Sequence, residues 1–374
     1  MERKTTMKAV LIAPRKYVQG RGVLKEIGAY LAVLGKRPMV LWDKAVKQIV
    51  GSTVLESIKS AGLDVVDVDF QGESTRAEAA RVAKIAREQG ADIAVGVGGG
   101  KTLDTAKAAA VENKIAMVTV PTIASNDSPT SAASVWYDDQ GNCIGWDCWP
   151  FNPDLVMVDS QVIANAPARA FVAGMGDALA TWLEAEAAFK TRALNLAGGV
   201  PTMAAMTLAR LCFDTLMEHG VEAKRAVELH AVTPAVEKVI EANVLLSGLG
   251  FESGGLATAH MIANALPSFP ECKRFMHGEK VGFGVISQLC LDDEKPTEEI
   301  YRIVDFEVAV GLPVTFADVN LEGIGRERLK SIGDICAGEG SLCKNHPFKV
   351  TSEDIVDAMI AADALARRRK QLAG

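Results

Sequence analysis

The strongest constraint on this chain is a rhythm in its first 160 residues, where short apolar runs alternate with amphipathic stretches. The runs at 9–13, 38–42, 64–70, 93–97, 116–120 and 155–158 read as strands. The stretches 25–34, 47–61, 75–89 and 103–111 carry helical spacing. Strands separated by helices of roughly 10–15 residues predict a parallel sheet with helices on its faces. After about Asn165 the rhythm stops. The segments 168–190, 201–218, 222–247, 252–266, 281–291, 297–310, 323–336 and 352–371 are helical in period, with Gly and Pro between them. The expected organisation is an α/β domain over 1–165 and an all-helical domain over 166–374. Ligands of such a pair are expected in the cleft between the domains.

Composition excludes several classes. A net charge of −7 argues against a broad nucleic-acid-binding surface. The longest uncharged stretch, 253–270, holds two glycines, two prolines, His260 and Asn264, so no membrane-spanning helix is expected. The N-terminal residues have no apolar run of signal-peptide length. Seven cysteines without a CxxC pair then read as reduced thiols in the cytoplasm.

Three features carry chemistry. The first is Gly96-Val-Gly98-Gly99-Gly100-Lys101-Thr-Leu-Asp104, which follows a strand run and opens a helix. Glycines there let backbone N–H groups approach an anion at a helix N-terminus. The spacing fits neither the Walker loop nor GxGxxG, and a ligand-free turn has the same spacing. The second is Thr122–Ser134, where six of thirteen residues are Ser or Thr just past a strand end. Such loops contact ligands in α/β proteins, though they also occur as plain solvated turns. The third is dispersed over the helical half: Asp177, His260 and His277. One carboxylate and two imidazoles suit a catalytic zinc with open positions. Singly, Asp177 also reads as a helix cap and His260 as a core histidine. His219, His230 and His346 lie among polar residues and are expected at the surface.

Five motifs connect these features: GGGKTLDTAK (98–107), PTIASNDSPTSA (121–132), GMGDALATW (174–182), GFESGGLATAH (250–260) and HGEKV (277–281). In order and spacing the chain resembles the zinc-dependent glycerol dehydrogenase branch of the iron-containing alcohol dehydrogenase superfamily. The resemblance implies a dinucleotide-binding α/β domain and a helical domain, as in the dehydroquinate synthase arrangement. It also implies NAD as cofactor, a homo-octamer and a polyol substrate. Carried over by matched position, Gly98, Gly99, Gly100, Lys101 and Asp104 form the cofactor loop. Thr122, Ser125, Ser131, Ala133 and Tyr137 contact the cofactor, and Asp127 contacts the substrate. Asp177, His260 and His277 hold zinc. Asp43 stands at the adenosine ribose, where a carboxylate accepts both hydroxyls and repels a 2′-phosphate, favouring NAD over NADP; singly, it also reads as a helix-capping or turn residue. Iron-type relatives place a histidine four residues after the aspartate, and here that residue is Thr181. Trp42, Asn126, Ser128, Ala133 and Trp136 depart from the commonest pattern of the branch.

The reaction so implied is oxidation of glycerol or a similar vicinal diol with reduction of NAD. Three other readings stand beside it: a related dehydrogenase acting on a hydroxy acid or another polyol, a dehydroquinate synthase-like lyase, and a non-catalytic NAD-binding protein. An anionic substrate needs cationic side chains, and only Lys273, Arg274 and Lys280 lie near His277 in sequence.

Overall fold

The computed structural model describes residues 7–373. The chain divides into two compact units. One holds Ala13–Phe171 with Arg225–Gly248. The other holds the described residues of Met1–Ile12, Val172–Lys224 and Leu249–Gly374.

The first unit is built on a parallel sheet. In chain order its elements are β1 (Tyr17–Gly20), α1 (Ile27–Leu31), β2 (Pro38–Trp42), α2 (Lys44–Ser60), β3 (Val66–Asp69), α3 (Arg76–Glu88), β4 (Ile93–Gly98), α4 (Gly100–Asn113), β5 (Ala116–Pro121), β6 (Ala133–Tyr137), β7 (Cys143–Cys148), β8 (Leu155–Asp159) and α5 (Ser160–Asn165). Six strands pair in the order β1-β8-β5-β4-β2-β3, all parallel. Alternate residues of each strand feed opposite cores, as the two-residue period requires. Val40, Trp42, Val95 and Val97 pack with Ile27, Val54 and Ile58 on one face. Met39, Leu41 and Ala94 pack with Val82, Ala86 and Ala109 on the other. Both faces are covered, which is why these strands read as unbroken apolar runs.

Two strand expectations are corrected. No strand forms at 9–13: Ala9 makes one isolated bridge to Val200, and the sheet edge is taken by β1, in register with β8 from Tyr17↔Val156 to Gly20↔Asp159. Gln19 secures that edge by donating to the Glu237 carbonyl (2.8 Å) and carboxylate (2.7 Å). The β6–β7 hairpin was not anticipated, because its Ser, Gly and Cys content and half-exposed pattern hide the strand period. Its Trp136 Nε1 donates to Asp147 (2.9 Å), and Arg76 on α3 holds the same carboxylate at 2.8 Å.

Helices follow: α6 (Ala168–Thr191), α7 (Met203–Glu228), α8 (Pro234–Glu241), α9 (Ser247–Gly254), α10 (Thr258–Ala265), α11 (His277–Leu289), α12 (Thr297–Val310), α13 (Arg326–Cys336) and α14 (Ser352–Ala373). The expected helix at 222–247 breaks before Pro234, where Thr233 Oγ1 caps Val236 N (3.3 Å) and proline takes the first turn. One π turn, Ala242–Leu246, then joins α8 to α9. The expected helix at 252–266 is also two pieces, because Gly255 turns at φ +103°. Among the described residues, no helix is long and apolar enough to cross a membrane.

The helical unit has a core around Ile262, Leu266, Phe283, Phe316, Ile332 and Met359. Glu307 on α12 is fully buried, and neither carboxyl oxygen has a hydrogen-bond partner among the described residues. Burial pushes its carboxyl well above the ordinary 4.5. The folded state therefore keeps a proton that the unfolded chain releases, and stability falls as pH rises above about 4.5 towards the folded value. Glu307→Met is expected to be more stable than the parent by ~1–3 kcal/mol at pH 8, with the difference shrinking towards pH 4. Urea melts at the two pH values measure this, and a parent that is equally stable relative to the variant at both contradicts it.

Candidate functional site

In the sheet unit the strand order turns between β2 and β4, and ligands of open α/β sheets bind at the carboxyl ends of strands beside such a switch point. Asp43, the glycine run and Thr122 all stand there. Asp43 follows β2, its N–H donates to Val97 O (3.1 Å), and its Oδ1 caps α2 by accepting from Ala45 N (2.9 Å) and Val46 N (3.2 Å). Gly98 ends β4 at φ +158°, Gly99 is the N-cap of α4, and Gly100 is its first residue. A Cβ on Gly98 would lie 2.9 Å from Thr102 Oγ1, and one on Gly100 2.8 Å from Asn126 Nδ2. Thr122 is buried just past β5, and its Oγ1 has no hydrogen-bond partner among the described residues. A glycine-lined helix N-terminus beside an orphaned buried hydroxyl fits the phosphates and amide of a dinucleotide.

The rest of the predicted cofactor set divides. Lys101 pairs with Glu73 (2.6 Å) and lies over the Tyr137 ring (4.5 Å). Asp104 turns inward: its carboxylate accepts from Ser128 Oγ (2.7 Å) and Val135 N (3.0 Å), and pairs with Lys107 (2.8 Å). The fully buried Lys107 ammonium also donates to the Ser128 and Ala133 carbonyls. Ser131 Oγ lies 3.4 Å from the same nitrogen. Ser125 is buried, and Ser131 and Ala133 belong to this brace under the loop that carries Asp127. Lys107 was missed from sequence, since a lysine three residues after an aspartate on a helix usually marks a solvated face.

In the helical unit Asp177, His260 and His277 come together, with one ligand atom from each within 4.8 Å of the others. Asp177 lies on α6, His260 on α10, and His277 is the first residue of α11. Asp177 Oδ1 is 3.4 Å from His260 Nε2 and 3.5 Å from His277 Nε2. Two glycines allow it. A Cβ on Gly176 would meet Gly278 O at 2.3 Å, and one on Gly278 would meet Ala173 O at 1.8 Å. The backbones of α6 and α11 thus touch where Asp177 and His277 project. Neither a helix-cap role for Asp177 nor a plain core role for His260 describes this meeting, since all three polar atoms converge on one point.

Burial lowers the His260 imidazole, but the Glu184 and Asp177 carboxylates outweigh it and hold the ring well above its ordinary value. Burial and the neighbouring His260 and Lys280 push His277 down to about 4, against the pull of Asp177. The donor set is two imidazole nitrogens and one carboxylate, which suits a borderline cation such as zinc.

Glu184 was also missed. It lies seven residues after Asp177 on α6, two turns along the same face, and its Oε2 is 2.5 Å from His260 Nδ1. That spacing was the available signal. The expectation of a surface His346 is corrected: it is buried, with Nε2 2.9 Å from Thr258 Oγ1 and the ring stacked on Phe348. His219 is half-buried and His230 exposed. Arg274 donates to Asn320 Oδ1 (2.8 Å) and Lys280 to Phe275 O (3.2 Å), so two of the three cations near His277 in sequence are engaged within the protein.

Known proteins share this architecture. Residues 14–160 match the iron-containing alcohol dehydrogenase family. A glycerol dehydrogenase of Thermotoga maritima is 45% identical over 96% of this chain and 98% of its own length. The chain belongs to the iron-containing alcohol dehydrogenase family. A glycolaldehyde reductase of Halobacterium salinarum is 44% identical over 97% of this chain and 99% of its own. The crystal structure of a Schizosaccharomyces pombe glycerol dehydrogenase, 34% identical, superposes with a TM-score of 0.94 over all of this chain and 95% of that one. Within the iron-containing alcohol dehydrogenase family, the chain is thus an oxidoreductase of the metal- and NAD-dependent kind that acts on alcohol groups.

Proposed function

We propose that this protein is a zinc-dependent NAD oxidoreductase that converts glycerol, or a similar vicinal diol, to the hydroxyketone. The observation that carries the reading is the convergence of Asp177, His260 and His277 on one point. Three protein ligands leave open positions for a substrate. The resemblance adds that Thr181 stands where iron-type relatives have a fourth ligand. Two adjacent hydroxyls of a diol match such an open site better than one.

Bound zinc would supply Lewis acidity that lowers the pKa of a substrate hydroxyl, and bound NAD would accept the hydride from the carbinol carbon. The protein's own side chains do the rest. Asp177, His260 and His277 hold the metal at fixed geometry. The backbone N–H groups at Gly98, Gly99 and Gly100 receive the pyrophosphate, and Thr122 Oγ1 offers a polar group to the cofactor. Asp43 uses Oδ1 to cap α2, and its other oxygen would accept from the adenosine ribose. Lys101, Asp104, Ser125, Ser131, Ala133 and Tyr137 shape the cofactor pocket, with Asp104 and Lys107 bracing the loop from which Asp127 would bind a substrate hydroxyl. The hydroxyl proton leaves to water. The resemblance also supports a homo-oligomer, an octamer in the family. The seven free cysteines suit a reducing compartment, the cytoplasm.

A second reading has one observation behind it. The relative at 44% identity is a glycolaldehyde reductase. Reduction of a small hydroxyaldehyde uses the same site in the opposite direction.

One panel tests both: alcohols, diols, hydroxy acids and hydroxyaldehydes with NAD(H) and NADP(H), on zinc-loaded protein, followed by absorbance. Glycerol and 1,2-propanediol are expected to exceed ethanol in kcat/KM by at least ~100-fold, with NAD preferred to NADP. Asp127→Asn is expected to lower kcat/KM for diols more than for ethanol. A hydroxy acid or ethanol outrunning every diol overturns the substrate reading.

A further inference from the structure

The helix that carries His260 begins in an unusual way. The first four N–H groups of a helix have no partner within it, and a side chain at the N-cap usually takes one. The N-cap of α10 is Ala257, which has no such side chain. The segment is buried, so water does not serve these groups either. Two side chains from neighbouring helices take all four. Glu184 Oε1, on α6, accepts from Ala257 N (2.9 Å) and His260 N (3.0 Å). Gln288 Oε1, on α11, accepts from Thr258 N (2.9 Å) and Ala259 N (3.0 Å). A carboxylate at this end also complements the helix dipole.

Glu184 has a second oxygen, and it lies 2.5 Å from His260 Nδ1. One carboxylate therefore holds His260 twice, by the backbone N–H and by the ring. A carboxylate only accepts, so the ring nitrogen facing it carries the proton. The other nitrogen, Nε2, lies 3.4 Å from Asp177 Oδ1, and with Nδ1 holding its proton against Glu184 it is the atom that would turn a lone pair to a cation bound there. Gln288 makes its part of the cap with Oε1 on two backbone N–H groups.

We infer that Glu184 is a positioning residue of the metal site, which sets the start of α10 and locks His260 as the Nδ1–H tautomer with Nε2 as the ligand atom. This inference rests on the metal reading of Asp177, His260 and His277. Carboxylates behind ligating histidines fix ring orientation and raise ligand basicity, and their loss lowers metal affinity by about 10–100-fold.

Glu184→Gln separates the two tasks. The amide oxygen still accepts from the α10 backbone. The amide nitrogen presents a donor to Nδ1, which must then accept, moving the ring proton to Nε2 where the metal binds. Zinc affinity is measured by competition with a chromophoric chelator, and the melting of metal-free protein is followed by circular dichroism. Glu184→Gln is expected to bind zinc about 10–100-fold more weakly than the parent, with metal-free melting close to the parent's. Gln288→Leu is expected to show the reverse, lower stability with near-parental zinc affinity. Nitrogen-15 histidine spectra of the zinc-loaded parent need no variant to fold: they are expected to show His260 protonated at Nδ1 and metal-bound at Nε2. A parent that binds zinc while Glu184→Gln binds it equally well, or a His260 bound through Nδ1, overturns the inference alone. A parent that takes up no metal overturns the metal reading and this inference with it.

Discussion

His277→Ala is expected to lose metal from the protein and to lower turnover of diols by at least ~10³-fold, while NAD binding stays near the parental value. The first part follows from geometry: removing one of three donors that meet within 4.8 Å leaves two, too few to retain zinc against buffer. The size follows from the several kcal/mol that Lewis-acid stabilisation contributes to such a transition state, at about 1.4 kcal/mol per factor of ten. The third part follows from position. The glycine run, Asp43 and Thr122 stand at strand ends of the sheet unit, which His277 does not help to build. Elemental analysis, steady-state kinetics and calorimetry with NAD check the three parts. Normal turnover in His277→Ala, or a fully active parent free of metal, refutes the assignment.

Gly278→Ala is expected to destabilise the helical unit by about 3 kcal/mol or more and to weaken zinc binding together with stability. The added Cβ would lie 1.8 Å from the Ala173 carbonyl oxygen and 2.6 Å from its carbon. Both atoms are backbone of α6, so no side-chain rotation relieves the overlap. The start of α11 has to move away from α6, carrying His277 from the Asp177 oxygen it faces at 3.5 Å. A denaturant melt and a chelator competition on the same preparation read both effects. A variant with parental stability shows that the two backbones do not approach as described.

Much of this was legible in the chain. The strands at Pro38–Trp42, Ile93–Gly98, Ala116–Pro121 and Leu155–Asp159 match the predicted runs to within a residue or two, because a strand covered on both faces reads as a nearly continuous apolar run. The helices Arg76–Glu88 and Thr297–Val310 were also readable from period and flanking residues. The three residues Asp177, His260 and His277, which the fold brings together, were picked out by residue type and motif.

Other features depend on partners far along the chain. Ala9–Ala13 has strand-like residues, yet the sheet edge went to Tyr17–Gly20, whose Gln19 finds Glu237 more than two hundred residues later. The hairpin at Ala133–Cys148 carries no clear alternation, and its place is set by Arg76, Asp147 and Trp136 meeting across separate elements. His346 looked exposed among polar neighbours in sequence, but its environment is Thr258 and Phe348.

The sequence by itself determined the class of the sheet, the glycine-lined helix start and the three donors, since period, backbone freedom and ligand chemistry are local properties. Only the tertiary structure decided that Asp104 and Lys107 brace a loop from within and that Glu184 grips His260 at both backbone and ring. Asp104 with Ser128 and Glu184 with His260 are pairings between groups distant in sequence, and which donor meets which acceptor is settled by how the helices and strands pack.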